Sequence, residues 1–385
     1  MQGPLHGVRV LDLTDERAIY GAKLLADLGA DVVRPEPPDG DPLRLRGPHA
    51  EPSGESLWYA YFASSRRHCL IDPADPAARA LLGRLAGQAD LLLTCDRAFG
   101  VELLDVAAAR ASRPALVHVA VSSFGPDGPW RDWQAPDLVA GALGGAVATT
   151  GTPDTPPLKT FGDLNFMVSG TYAAIAALSA LHHARTSGAG QRVDVSVHEC
   201  IAAALEQVLM LAWYGEQMGR GRVLPRQGGT HWSMAFTVVP AQGGAIMVTP
   251  MPDFDAQLAW LIEADAHQDL LDERYQGPEN LPLYVGRMVE VMREWVAAQD
   301  PEALFFEAQS RHAPYGWVLP IEQLAKNPQR AARGWWTAYQ LAGRSVNGPG
   351  APYRFSETPW HLRAPDVPAA DPPTAESVLA TLGWE

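Results

Sequence analysis

A glycine and a carboxylate, Gly162-Asp163, stand between a stretch crowded with turn formers and a long apolar run. Before them, Gly151 to Lys159 carries Pro153, Pro156 and Pro157; after them, Leu164 to Ala184 is rich in helix formers and small apolar residues. That order puts Asp163 at the mouth of a helix, where free backbone N–H groups and the positive end of the dipole stabilise negative charge. A carboxylate there has two uses. It can cap the helix by accepting from a backbone N–H, the ordinary role of such an aspartate. It can also act as a nucleophile and carry a covalent intermediate. The residue alone does not choose between them.

The other chemistry-bearing residues exclude several classes. Cys69, Cys95 and Cys200 are far apart, form no CxxC pair and cluster with no histidine, so no metal site is expected; an odd count also suits a reducing compartment. His182 and His183 are neighbours on a predicted helix and cannot share a face. A formal net charge of −14 argues against nucleic acid and anionic membranes as partners. Residues Met1 to Gly7 lack a basic run followed by an apolar core, and no run of about 18 apolar residues predicts a membrane span. The expectation is a soluble cytoplasmic protein of two domains.

The elements that must position Asp163 follow an alternating pattern. Gly7 to Leu13 reads as a strand, Ile19 to Leu28 as a helix and Ala30 to Val33 as a strand, making a parallel, right-handed βαβ unit. The first turn holds Thr14, Asp15, Glu16, Arg17 and Ala18, with no GxGxxG dinucleotide fingerprint. Strands are predicted at Cys69 to Asp72, Asp90 to Cys95, Ala115 to Ser122 and Arg192 to Val197. Between and after them come helices at Pro76 to Ala89, Val101 to Arg110, Pro136 to Gly145, Leu164 to Ala184 and His198 to Trp213. The fold class is α/β: a Rossmann-like, doubly wound parallel sheet over residues 1–205, rejoined by about 340–385. A smaller α+β domain is predicted over 229–325, bounded by linkers at 206–228 and 326–339. It should hold a hairpin at Phe236 to Val248, helices near 254–265, 283–299 and 301–310, and a strand at Gly316 to Leu319. The proline-rich tail is too extended to hold its own core and is predicted to wrap back over the first domain.

Five segments, in this order and spacing, carry a resemblance: Gly7 to Thr14 (GVRVLDLT), Leu24 to Val33 (LLADLGADVV), Glu36 to Arg44 (EPPDGDPLR), Ser123 to Pro129 (SFGPDGP) and Gly188 to Ser196 (GAGQRVDVS). Together they make the chain similar, over nearly its whole length, to the family III coenzyme A transferases, which include formyl-CoA transferase and carnitine CoA-transferase. The resemblance implies that Asp163 is the nucleophile. It implies an acyl-CoA donor and a free carboxylic acid acceptor as substrates, with no permanently bound cofactor. It assigns coenzyme A contacts to Arg17, Arg67, Ile71 and Arg97, with Arg66 beside them, and an active-site glycine loop to Gly228 and Gly229. It also implies a homodimer of two interlocked rings, threaded through the long linkers.

Residue chemistry qualifies these roles. An exposed arginine is ordinarily a solvated charge, and Gln227 to Thr230 also reads as a plain turn. Asp15 and Glu16, in the first turn, repel a phosphate unless they point away. Trp130, Trp133 and Trp232 suggest bulky walls for the acyl group. Racemases of the same fold are an alternative that needs an acid–base pair; the equivalent dipeptide here is Pro136-Asp137, which leaves Asp137 as a secondary candidate without its histidine. A non-catalytic acyl-CoA binder and a plain thioester hydrolase are the remaining alternatives.

Overall fold

The computed structural model describes residues 2–205, 208–217, 226, 228, 235–341, 343–363, 380 and 383–384. The described chain divides into two compact units. The first comprises Met1–Val147, Lys159–Gln207 and Gln329–Glu385; the second comprises Ala148–Leu158 and Val208–Pro328.

In the first unit, six strands form one parallel sheet: β1 (Arg9–Leu13), β2 (Asp31–Glu36), β3 (Arg67–Leu70), β4 (Leu91–Cys95), β5 (Val117–Ser122) and β6 (Arg192–Ser196). Their order is β3-β2-β1-β4-β5-β6, so the direction of winding reverses between β1 and β4. Such a switch point opens a crevice at the carboxyl ends of the strands. The central strands are apolar because helices cover both faces; β4 is buried along its whole length. Helices of this unit are α1 (Ile19–Asp27), α2 (Leu57–Phe62), α3 (Pro76–Gln88), α4 (Val106–Ser112) and α5 (Asp137–Leu143). After α6 (Ala146–Thr149) come α7 (Leu164–Ser187) and α8 (Val197–Ala203).

The expected strand and helix alternation is present, with shifts of a few residues at the ends. Two differences matter. The helix expected from His198 to Trp213 is two elements, α8 and α9 (Val208–Tyr214). The helix expected from Val101 begins only at Val106, where Asp105 accepts from the Ala108 N–H and sets the cap.

Helix α7 carries the candidate nucleophile and is positioned by close backbone contact. A Cβ built on Gly21 of α1 would lie 2.4 Å from the Gly170 carbonyl oxygen, so the two helices cross at their glycines. The Ser169 hydroxyl donates to the Arg17 carbonyl at 2.6 Å and ties α7 to the turn after β1. By length and composition α7 could cross a bilayer, contrary to the expectation that no such run exists. Half of that stretch is buried within the fold, where α7 packs on α1, β5 and β6.

The second unit holds β7 (Thr237–Ala241), β8 (Gly244–Val248) and β9 (Gly316–Trp317) in an antiparallel sheet of order β7-β8-β9. Its hairpin turns through Gln242 and Gly243, the latter at φ +76°. Helices α10 (Phe254–Glu263), α11 (Leu281–Val296) and α12 (Pro301–Ser310) bury Trp260, Leu261, Met288, Met292 and Leu304 against Ile246 and Val248. Then follow α13 (Ile321–Lys326) and α14 (Pro328–Ala332). A second hairpin, β10 (Trp336–Leu341) with β11 (Arg344–Pro349), belongs to the first unit and was not expected. Beyond it the described tail residues contact the first unit, as expected. Arg363 pairs with Asp31 at 2.7 Å, and Trp384 is buried among Leu81, Leu85 and Leu116.

One buried histidine makes the sheet sensitive to acid. His118, on β5, is 5% exposed, with Nε2 2.9 Å from the Thr94 hydroxyl and Nδ1 unpartnered among the described residues. Burial, then the charges of Arg192 and Arg110, push its pKa down from 6.5 to about 4. The unfolded chain therefore takes up a proton between those values that the folded chain refuses, so stability falls as pH drops through the window. The loss should reach about 3 kcal/mol at most. Urea unfolding from pH 7 to 4.5 should show this slope in the wild type and a shallower one in His118→Gln.

Candidate active site

The site rests on a buried ionic network at the carboxyl ends of β1 and β2. Asp12 is fully buried with its Oδ2 3.2 Å from Arg34 and 2.8 Å from Arg66. Burial pushes the Asp12 carboxyl up, but the two guanidinium groups outweigh it and hold the group below its usual range. Arg34 continues to Asp41 at 2.7 Å, and Tyr59 donates to both Asp41 and Glu36 at 3.1 Å. Glu36 also binds Arg44 at 2.6 Å and His68 at 2.5 Å. Asp41 caps a short 3-10 turn, Pro42–Leu45, by accepting from the Leu43 N–H. The network thus fixes the backbone that leads into Arg46.

Arg46 reaches the candidate nucleophile. Its Nη2 lies 2.7 Å from Asp163 Oδ2, and its guanidinium stacks 4.5 Å over the Trp58 ring. Asp163 occupies the N-cap position of α7 yet makes no side-chain cap hydrogen bond. The capping is done from outside the helix. Asp137, the first residue of α5 and 5% exposed, accepts from the Phe166 N–H at 3.2 Å and from Asn165 Nδ2 at 2.9 Å. Lys159 balances its charge at 3.1 Å and also donates to the Gly162 carbonyl. Asp163 is thereby released from the cap and stands 21% exposed on Arg46. Gly162 is at φ +67° with open space around it, so glycine serves the backbone there, not the packing.

Two adjoining clefts, each about 250 Å³, open at the switch point between β1 and β4. Asp15, Glu16 and Arg97 line both. One also has Asp12, Arg34 and Asp41 in its wall; the other has Arg17, Ser123, Pro136 and Phe166. Asp163 lines neither. It is three residues before Phe166, about 5 Å along the helix axis.

The residues singled out for coenzyme A have different surroundings. Arg17 is 8% exposed, and its guanidinium is taken by Asp15 and by Asp96 at 2.5 Å each. Burial lowers the Arg17 pKa, and those carboxylate contacts more than reverse this. Arg97 is exposed at φ +69°, lines both clefts and donates to the Asp132 carbonyl at 3.0 Å. Arg67 is half-buried at the start of β3 and lines neither cleft. Ile71 is fully buried in the core beside Leu82 and Leu85, which leaves no side-chain surface for a ligand. Arg66 is equally enclosed on Asp12. Gly228, in the second unit, is at φ +63° and donates to the Gly151 carbonyl at 2.9 Å; Gly229 and Trp232 lie outside the described residues. Trp130 and Trp133 stack on each other at 5.3 Å beside Phe124.

Arg46, Lys159, Asn165, Phe166 and Glu16 were missed as site residues. Arg46 is 117 positions from Asp163, and nothing in its local sequence signals the pairing. Asn165 and Lys159 flank Asp163 closely, and a polar residue inside an apolar helix start was the available clue. Asp137→Ala would strip the cap from α7 and take from Lys159 its counter-ion and from Asn165 its shorter hydrogen bond. It should destabilise the protein by about 1–3 kcal/mol in urea unfolding.

The chain matches the model of CoA-transferase family III over residues 5–372. It is 30% identical over 336 residues to the succinyl-CoA–D-citramalate CoA-transferase of Chloroflexus aurantiacus, covering 86% of this chain and 82% of that one. It is 28% identical to the succinate–glutarate CoA-transferase of Agrobacterium fabrum, covering 94% and 92% of the two chains. A crystal structure of a CaiB/BaiF family protein from Brucella suis superposes with a TM-score of 0.83 at 24% identity, covering all of both chains, and shares the fold. With a family match across nearly its whole length, this chain belongs to CoA-transferase family III and is an enzyme of that type.

Proposed function

We propose that the protein moves coenzyme A from an acyl-CoA thioester to a free carboxylic acid through a covalent relay on Asp163. The observation that carries the reading is the division of labour at α7: Asp137 caps the helix, and the Asp163 carboxylate is left to Arg46. Asp163 attacks the thioester carbonyl, the C–S bond breaks, and coenzyme A leaves as thiolate, giving an aspartyl–acyl anhydride. The thiolate attacks the aspartyl carbonyl, the donor acid departs, and an aspartyl-CoA thioester remains. The acceptor carboxylate attacks that thioester and expels the thiolate, which attacks the acceptor's acyl carbonyl. Acyl-CoA product leaves and the Asp163 carboxylate is restored. No permanently bound cofactor takes part.

Arg46 holds one oxygen of the nucleophile, and no partner for Oδ1 lies among the described residues. Positioning, more than intrinsic strength, makes a carboxylate useful here. Gly228 and Gly229 are the glycine loop that the family resemblance implies; the Gly228 N–H is given to the Gly151 carbonyl. Arg97 and Arg17 belong to the coenzyme A side, Arg97 through its own guanidinium and Arg17 through the clamp that shapes the turn. A racemase is disfavoured because both oxygens of Asp137 are engaged in holding α7.

A second reading changes only the residue that carries the relay. Its support is that α7 turns Phe166, not an acid, into the cleft, whereas Glu16 lines both clefts. Hydroxylamine quenching during turnover with a panel of acyl-CoA thioesters and acids, followed by peptide mass spectrometry, separates the two. The label should fall on residue 163, and Asp163→Ala should lose exchange by at least about a thousandfold. Label on residue 16, with exchange retained in Asp163→Ala, replaces the first reading by the second.

The functional unit is a homodimer with interlocked subunits. Support comes from α7, which leaves Leu164, Tyr172, Ile175 and Leu178 exposed along one side. Light scattering should give twice the chain mass, and Ile175→Glu should lower it; a wild-type mass of one chain removes the dimer.

A further inference from the structure

Every carbonyl attacked in an acyl relay gathers negative charge on its oxygen and needs a donor there. Two of the transfers in the relay on Asp163 take place at its own Cγ, not at the substrate's carbonyl. These are the thiolate's attack on the anhydride and the acceptor's attack on the aspartyl thioester. In both, the electrons of the Cγ–O double bond move onto the oxygen that Asp163 keeps. Arg46 stands at one oxygen of that carboxylate, with Nη2 2.7 Å from Oδ2, and no partner for Oδ1 lies among the described residues. The unpartnered oxygen is the better nucleophile, because a charge-assisted hydrogen bond ties up the other. Oδ1 therefore bonds to the acyl group, and Oδ2 stays on Arg46 as the carbonyl oxygen.

Acylation removes the charge of Asp163, so the guanidinium needs other supports to remain in place. Its plane lies 4.5 Å over the Trp58 ring. The Arg46 N–H donates to the Leu43 carbonyl at 3.2 Å, and the Arg46 carbonyl accepts from the Ser56 hydroxyl. Ser56 caps α2, the helix that carries Trp58, by accepting from the Tyr59 N–H at 2.9 Å. One helix start thus fixes both the backbone and the side chain of Arg46. Resting on the transfer reading above, we propose that Arg46 is the oxyanion donor for chemistry at Cγ of Asp163. In the first such step the thiolate sulfur bonds to Cγ, charge settles on Oδ2 beside Arg46, and the Cγ–Oδ1 bond breaks to release the donor acid. In the second, an acceptor oxygen bonds to Cγ, the same Oδ2 takes the charge, and the C–S bond breaks to release the thiolate.

Hydroxylamine present throughout the reaction reads the two carbonyls separately, with acetyl-CoA, butyryl-CoA and succinyl-CoA as probes and no acceptor acid. Attack at the acyl carbonyl of the anhydride gives free acyl hydroxamate, counted above the level seen with Asp163→Ala. Attack at Cγ leaves a hydroxamate on residue 163. Arg46→Gln should lower the ratio of protein-bound to free hydroxamate by at least about tenfold. Arg46→Lys, which keeps a cation, should lower it less. A guanidinium that only steadied Asp163 would depress both products together, so a smaller change in the ratio overturns the proposal, as does a lysine variant no better than the glutamine one. Circular dichroism checks that each variant is folded, and Arg46→Met replaces Arg46→Gln if that one is not. Hydroxamate on residue 163 of the wild type with an unmoved ratio sinks this inference alone. A wild type that gives none on residue 163 sinks the transfer reading, and this inference with it.

Discussion

A carboxylate with no access to water, held between two buried guanidinium groups, is the constraint on which the site depends. Asp12, Arg34 and Arg66 lie inside the fold at the carboxyl ends of β1 and β2. Hydrophobic residues of the same volume could hold a core as well, since desolvation consumes much of what a buried ion pair gains. What the network supplies here is geometry. It runs through Asp41, Tyr59, Glu36, His68 and Arg44, so strands β1 to β3, α2 and the 3-10 turn after β2 can meet in only one register. Removing Asp12 would leave the fully buried Arg66 without its counter-ion, at a cost of about 3–5 kcal/mol.

That rigidity reaches Asp163 along a short path. The turn capped by Asp41 ends at Leu45, and the next residue is Arg46, whose guanidinium lies between Trp58 and the Asp163 carboxylate. From the opposite side, Asp137 and Lys159 fix the first turn of α7 without using the Asp163 side chain. An aspartate at an N-cap is ordinarily consumed by the helix it starts. Here a second aspartate takes over that task, and the one at the helix mouth is left to pair with Arg46.

The sequence carried the alternation of strands and helices openly, because β1, β4 and β5 are short apolar runs separated by turn signals. It carried the place of Asp163 as well, since Gly162 and the prolines before it mark a helix start. It did not carry the partners. Arg46 looks like any solvated arginine until the fold brings it across 117 positions. Ile71 was assigned to coenzyme A by resemblance alone, and its side chain lies in the core just past the end of β3. The hairpin β10–β11 was hidden because prolines and glycines at its ends, Pro349 among them, read as extended tail. Its pairing comes from contacts with residues far away in sequence, Tyr339 against Lys23 for one.

Helix α7 joins these observations. Its buried stripe is made of Gly170, Ala173, Ala177, Ala180 and Ala184, spaced alternately by three and four residues. Small residues let its backbone touch α1 at Gly21, which no larger side chain would allow. The contact fixes both the rotation of α7 and its height above the turn after β1. A slip of one residue would rotate the helix by about 100° and carry Asp163 away from Arg46. Phe166 would leave the cleft in the same movement. The alanine stripe therefore sets which way the side chains of the first turn of α7 face, and the ionic network sets where Arg46 meets them.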